Sequence, residues 1–209
     1  DHRDLHLSLR RQRQMCIRDR CQLSEASQDS LLRISRVVIQ TYLVSGIDPF
    51  IPPPTEKEHL QKRGAFVTLY HNKRLRGCVG YVQPVTPLFR VVTQCSVSAT
   101  GEDKRFPPLK LRELSAIEIE LSVLYALQEV KNPLDIEIGR HGLLISHEAQ
   151  QGLLLPQVAV EHGWKHEQFL EQTCRKAGLQ MTVWRNGARL QRFTTTVFRE
   201  RERRIASLT

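Results

Sequence analysis

Gly64-Ala65-Phe66-Val67-Thr68-Leu69-Tyr70, followed by His71-Asn72-Lys73 and then by Arg74-Leu75-Arg76-Gly77-Cys78-Val79-Gly80-Tyr81, decides the fold. The first run is rich in strand formers, the middle is short and polar enough to turn, and the run from Leu75 to Val82 returns, so the whole reads as a β-hairpin. Cys78 stands on the second strand, flanked by Gly77 and Gly80. Glycine weakens a strand unless a bulge or a close backbone contact requires it, so both flanks predict one or the other. The same missing Cβ gives a ligand or another backbone close access to the thiol. The alternative is a small, inert core cysteine.

Upstream, Leu31, Ile34, Val38 and Tyr42 recur at the helical period over residues 27–45, with Ser27 or Asp29 as the cap and Gly46 as the stop. Asp48-Pro49-Phe50-Ile51-Pro52-Pro53-Pro54 is barred from helix and central strand, and predicts a surface loop with Phe50 pinned beneath it. Downstream, Thr86-Pro87 opens a helix whose stripe is Leu88, Val91, Val92 and Cys95. The loop Gly101-Glu102-Asp103-Lys104-Arg105-Phe106-Pro107-Pro108 either presents side chains to a ligand or merely pairs Asp103 with Arg105.

Residues 109–114 predict a helical turn and residues 116–124 a strand, with Ile117, Ile119, Leu121 and Val123 on one face and Glu118, Glu120 and Ser122 on the other. A solvated second face is the default; if covered, Glu120 needs a partner, because an unpaired buried charge is too costly. Residues 136–145 read as strand, glycine turn and strand, with Arg140 and His141 at the bend. Leu153-Leu154-Leu155 is a short strand, Pro156 starts a helix, and a further helix spans residues 164–177 with Phe169, Leu170, Thr173 and Cys174 inward. Residues 184–198 predict a returning strand with Asn186-Gly187 as a turn, and the alternating charges of residues 199–204 a solvated tail. Strands and helices interleaved at irregular spacing with hairpin-length connections indicate an α+β fold, an antiparallel-rich mixed sheet flanked by helices.

The 209 residues carry a net charge of +9. Back-translated, residues 10–20 fit the codons of a sequencing adapter ending in a transposase mosaic end, and residues 1–6 those of its flow-cell arm. Residues 1–20 are therefore read as a translated adapter, disordered, and not as a basic arm for nucleic acid or organelle targeting. Without their six Arg and three Asp the net charge falls to +6, and no reading helix or interleaved aromatic stripe argues for nucleic acid. Cys78, Cys95 and Cys174 are widely spaced and odd in number, which fits no disulfide framework or metal knuckle. With no run of eighteen apolar residues, the expectation is a cytoplasmic protein without a membrane span.

Taken in order, Leu75-Arg76-Gly77-Cys78-Val79-Gly80, Arg105-Phe106-Pro107-Pro108-Leu109, Glu118-Ile119-Glu120-Leu121-Ser122-Val123-Leu124, Gly139-Arg140-His141-Gly142-Leu143, Gly152-Leu153-Leu154-Leu155-Pro156-Gln157-Val158-Ala159, Trp164, Phe169-Leu170-Glu171 and Cys174-Arg175-Lys176-Ala177-Gly178-Leu179 resemble the AMMECR domain family. Bacterial and archaeal members are called AmmeMemoRadiSam system protein A. The resemblance covers residues 31–200 of a domain placed at residues 21–200, with 201–209 as its tail. It implies a larger and a smaller subdomain, a cleft lined by the LRGCxG-like strand, and a radical SAM enzyme and a Memo-like protein as partners. The chain departs from the family at Val79, where isoleucine is usual, and at Lys104, where proline is usual between aspartate and arginine.

The expected cleft gathers Cys78 as nucleophile or redox thiol, His141 or Glu120 as proton acceptor, and Arg76, Arg105 or Arg140 as anion binders. Gly77, Gly80, Asp103 and Gln157 complete the ligand-binding set. No cofactor is singled out, and Cys78 with His141 lacks the spacing of a metal site. The alternative is a non-catalytic adaptor for the same partners. For the N-terminal segment the expected outcome is that the source genome does not encode residues 1–20; genomic sequencing that finds them encoded contradicts the adapter reading.

Overall fold

The computed structural model describes residues 23–83 and 85–200, so the adapter-like segment and the tail from residue 201 lie outside the described residues. Helix α1 (Glu25–Ser45) is capped by Ser24, whose hydroxyl accepts from the Ser27 N–H, one turn earlier than the sequence suggested. It ends at Gly46, whose φ of 70° suits the residue without a Cβ. A short helix α2 (Lys57–Leu60) precedes the hairpin of β1 (Ala65–His71) and β2 (Arg74–Tyr81). Asn72 and Lys73 both have positive φ, the geometry of the tight turn that matches strand twist. Helix α3 (Leu88–Gly101) begins one residue after Pro87, and the Leu88 N–H donates to the Gln61 carbonyl at 2.9 Å in place of a side-chain cap.

After a 3₁₀ turn over Leu111–Ala116 come β3 (Ile117–Leu124), β4 (Gln128–Glu129), β5 (Gly142–His147) and β6 (Gln150–Leu154). Helices α4 (Pro156–Glu161) and α5 (His166–Lys176) follow, then β7 (Arg189–Phe193) and β8 (Thr195–Arg199). The strands form two four-stranded sheets, ordered β2-β1-β3-β8 and β4-β7-β5-β6, and every pairing is antiparallel. The fold is α+β.

Each sheet has its own buried cluster. Val67, Leu69, Ile119, Leu121 and Phe198 of the first sheet pack with Leu31, Ile39, Val91, Val92 and Cys95 of α1 and α3. The two helices are joined where the Ser35 and Ser96 hydroxyls meet at 2.7 Å. In the second sheet Leu143, Ile145 and Leu190 pack against Phe169, Leu170 and Cys174 of α5.

Local departures from the sequence expectation have physical causes. Residues 136–138 are not a strand: they follow a 3₁₀ turn at Pro133–Asp135, whose Asn132 side chain accepts from the Leu134 N–H. The single strand expected over residues 184–198 is two strands in different sheets, parted at Thr194, whose carbonyl accepts from the Tyr125 N–H at 2.9 Å. Phe50 is 77% exposed, with the Arg90 guanidinium 5.7 Å from its ring centroid.

The hairpin's glycines are close-contact positions, as expected. A Cβ on Gly77 would lie 2.4 Å from the Ala99 carbonyl oxygen of α3, and one on Gly80 would enter the Phe66 ring at 2.2 Å. The register slips between Leu69 and Tyr70, leaving Arg76 as the extra residue of a bulge. Since the Ala99 carbonyl belongs to a buried helix backbone, Gly77→Ala is expected to cost about 2–3 kcal/mol in urea unfolding. Gly46→Ala meets no atom within 4 Å and is strained only by its φ, so it should cost about 1 kcal/mol.

Candidate functional site

Antiparallel register carries one row of side chains across the whole first sheet. Cys78 opposes Thr68, Thr68 opposes Glu120, and Glu120 opposes Arg199. Because opposed residues point to the same face, these four side chains stand together on the face away from α1 and α3. The Thr68 hydroxyl donates to Cys78 Sγ at 3.3 Å. Arg199 Nε donates to Glu120 Oε2, and the Arg199 guanidinium also lies over the Tyr70 ring, 5.0 Å from its centroid. Glu120 is only 4% exposed, so the face that the sequence left solvated is covered at this point, and its carboxylate is paired. Burial, and next the nearby Glu120 charge, raise the Tyr70 phenol above its ordinary value.

A cleft of about 1180 Å³ opens on this face between the two sheets. Tyr70, Glu120, Val197 and Arg199 line it from the first sheet; Arg140, His141, Gln157 and Glu161 line it from the segments around the second. His141 is 6% exposed, and its Nδ1 accepts from the Glu137 N–H at 2.9 Å. In the neutral ring this leaves the proton on Nε2, so that tautomer has a donor at Nε2. Arg140 is held at the rim by Glu137, at 2.8 Å and 2.6 Å from its two carboxylate oxygens.

Cys78 stands next in the row, on the edge strand β2, beyond the ring of lining residues. It is half-buried, whereas Cys95 and Cys174 are fully buried. Burial pushes the Cys95 thiol up to about 12 and raises that of Cys174 as well.

The remaining sequence candidates surround the strand from its other side. The Cys78 N–H donates to Asp103 Oδ2 at 2.9 Å, and Arg105 grips both oxygens of the same carboxylate at 2.9 Å and 2.7 Å. The Arg105 guanidinium holds the Asp103 carboxyl well below the usual carboxylate range, and the Cys78 N–H adds to that. Asp103 raises the Arg105 guanidinium in return. Arg76 donates to the Pro107 carbonyl at 2.8 Å and to Glu113 at 2.9 Å, which lowers the Glu113 carboxyl. Arg76, Asp103 and Arg105 thus fasten the proline loop to β2 through internal bonds.

The structure adds residues that sequence reading left out of the site. The sequence marks Tyr70 only as a strand former and places Arg199 in a solvated tail. Glu200 is also structural, accepting from the Ile119 N–H at 3.1 Å and from Arg36 Nε at 2.9 Å. An arginine one residue past an apolar strand signals a partner only once its strand is placed beside Glu120. Among the described residues no group of His, Cys, Asp or Glu has the arrangement of a metal site, and no helix is long and apolar enough to cross a membrane.

Two antiparallel sheets with separate cores and a shared polar cleft define the class of protein. The AMMECR1 family model matches residues 32–198, and the chain belongs to that family. A protein of Methanopyrus kandleri, MK0488, is 42% identical over 182 residues, covering 82% of this chain and 87% of its own. PYRAB00100 of Pyrococcus abyssi is 39% identical over 181 residues, covering 81% and 88%. The crystal structure of the uncharacterized protein PH0010 from Pyrococcus horikoshii superposes with a TM-score of 0.76 at 37% identity, covering 81% of this chain and 89% of that one.

Two outcomes follow from this geometry. Limited alkylation of the native protein, mapped by peptide mass spectrometry, should modify Cys78 before Cys95 and Cys174, which react only after denaturation. Asp103→Ala should cost about 2 kcal/mol at pH 7, by loss of charge-assisted bonds. Because the folded-state Asp103 carboxyl titrates below its unfolded value, its contribution is complete above that unfolded value, near pH 4, and is lost progressively as pH falls from there through the lower folded-state value. The variant's disadvantage in urea unfolding should therefore shrink steadily below about pH 4.

Proposed function

We propose that the protein acts by binding a small-molecule ligand or substrate in the cleft beside Cys78, working with a radical SAM enzyme and a Memo-like protein as its family resemblance implies. The observation that carries the proposal is the row Cys78, Thr68, Glu120 and Arg199, whose inner end forms one wall of the cleft. In this account Cys78 is the nucleophile or redox thiol, and the Thr68 hydroxyl stabilises its sulfur by donation. Glu120, anchored by Arg199, is the proton acceptor on the cleft side, while His141 and Gln157 donate to the ligand from the opposite wall.

The second reading, a non-catalytic adaptor for the same partners, is favoured by the contact between Gly77 and the Ala99 carbonyl, which accounts for that glycine by packing alone. Complementation of a deletion strain separates the two. On the cleft account Cys78→Ser and Glu120→Gln each lose function while still binding both partners in pull-downs. Full function of Cys78→Ser, together with loss of partner binding in Gly77→Ala, supports the adaptor and overturns the cleft account.

A further inference from the structure

The cleft carries more positive charge than its carboxylates neutralise. Arg140 is paired with Glu137 and Arg199 with Glu120. Lys62, Arg63 and Arg192 also line the cleft, and among the described residues none of them has an ion pair with a carboxylate.

These cations share one end, where the chain crosses between the sheets. The Leu124 N–H donates to the Gly64 carbonyl and the Tyr125 N–H to that of Thr194, both at 2.9 Å, and Gln128 pairs with Arg192 across the β4–β7 ladder. Residues 61–64, 124–128 and 192–195, which build this end, include no aspartate or glutamate.

Arg63 is its centre. It is 9% exposed, and its guanidinium lies over the Tyr125 ring at 4.6 Å from the centroid. Nη2 donates to Gln61 Oε1 at 2.5 Å, while the buried Nη1 has no hydrogen-bond partner. An aromatic face and a neutral amide offset only part of the cost of burying a cation that lacks a countercharge. Gln61 itself is exposed, so its side chain is free to swing into solvent.

We propose that this end of the cleft is an oxyanion subsite, in which a carboxylate or phosphate group of the ligand displaces Gln61 Oε1 and takes Nη1 and Nη2 of Arg63 together. A planar guanidinium suits such a two-point grip; Lys62 lines the same cleft, as does Arg192, whose guanidinium donates to the Asp135 carbonyl and to Gln128 Oε1. The subsite rests on the cleft being a ligand site and gives that ligand a chemical class: a small molecule with an oxyanion at one end and its other end toward Glu120 and His141.

Calorimetric titration of the full chain in a low-chloride buffer, with inorganic phosphate and separately with succinate, tests it. At least one anion should bind saturably, and which one binds tells phosphate from carboxylate. Arg63→Gln should weaken that binding by about tenfold or more, and Arg63→Lys, which keeps charge but loses the fork, by less. Gln61→Ala should tighten it, a gain that misfolding cannot produce. Absence of saturable binding by either anion, or binding that Arg63→Gln and Gln61→Ala both leave unchanged, overturns the subsite. Neither result alters the complementation outcomes for Cys78 and Glu120, so the subsite and the cleft function fail separately.

Discussion

The pairing of Glu120 with Arg199 is the interaction on which the rest of the structure depends. A carboxylate as buried as Glu120 would cost several kcal/mol without a countercharge. Arg199 reaches it only because β8 pairs with β3 in the register that sets the two residues opposite each other. That register follows from the chain leaving the second sheet at Thr194 and joining the first at Thr195. The ion pair therefore fixes one of the crossings that link the sheets, and the cleft lies along those crossings.

The LRGCVG segment looks from sequence like a single functional unit, but its residues do different physical work. Gly77 admits the α3 backbone, Gly80 admits the Phe66 ring, and Arg76 leaves the ladder at a bulge to hold the proline loop. Asp103 returns from that loop to the Cys78 N–H, so the strand is fixed by its backbone on one side while its thiol is left beside Thr68 on the other. The thiol is the part of the segment that these packing contacts do not use.

Much of the fold was legible because local signals agreed with one another. The hairpin, the stop at Gly46, the core stripe of α3 and the inward face of α5 each follow from periodicity together with a terminator. What was not legible depends on contacts between distant segments. Nothing near Glu120 announces that its carboxylate is buried and paired, because its partner, Arg199, stands 79 residues further along the chain. The split at Thr194 is hidden because alternation continues across it, although Leu190 and Phe198 belong to different cores. Arg63, in an ordinary basic run before a strand, becomes distinctive only when Tyr125 is laid against it.

The most direct measurement is a double-mutant cycle on stability with Glu120→Gln, Arg199→Gln and the pair combined, each followed by urea unfolding. If the ion pair, with its carboxylate buried and its guanidinium partly exposed, is the tie between β3 and β8, the single changes should be non-additive, with a coupling of about 1 kcal/mol or more. Additivity within about 0.5 kcal/mol would mean that the two side chains do not depend on each other, contradicting the account of the sheet row and of the cleft wall it forms.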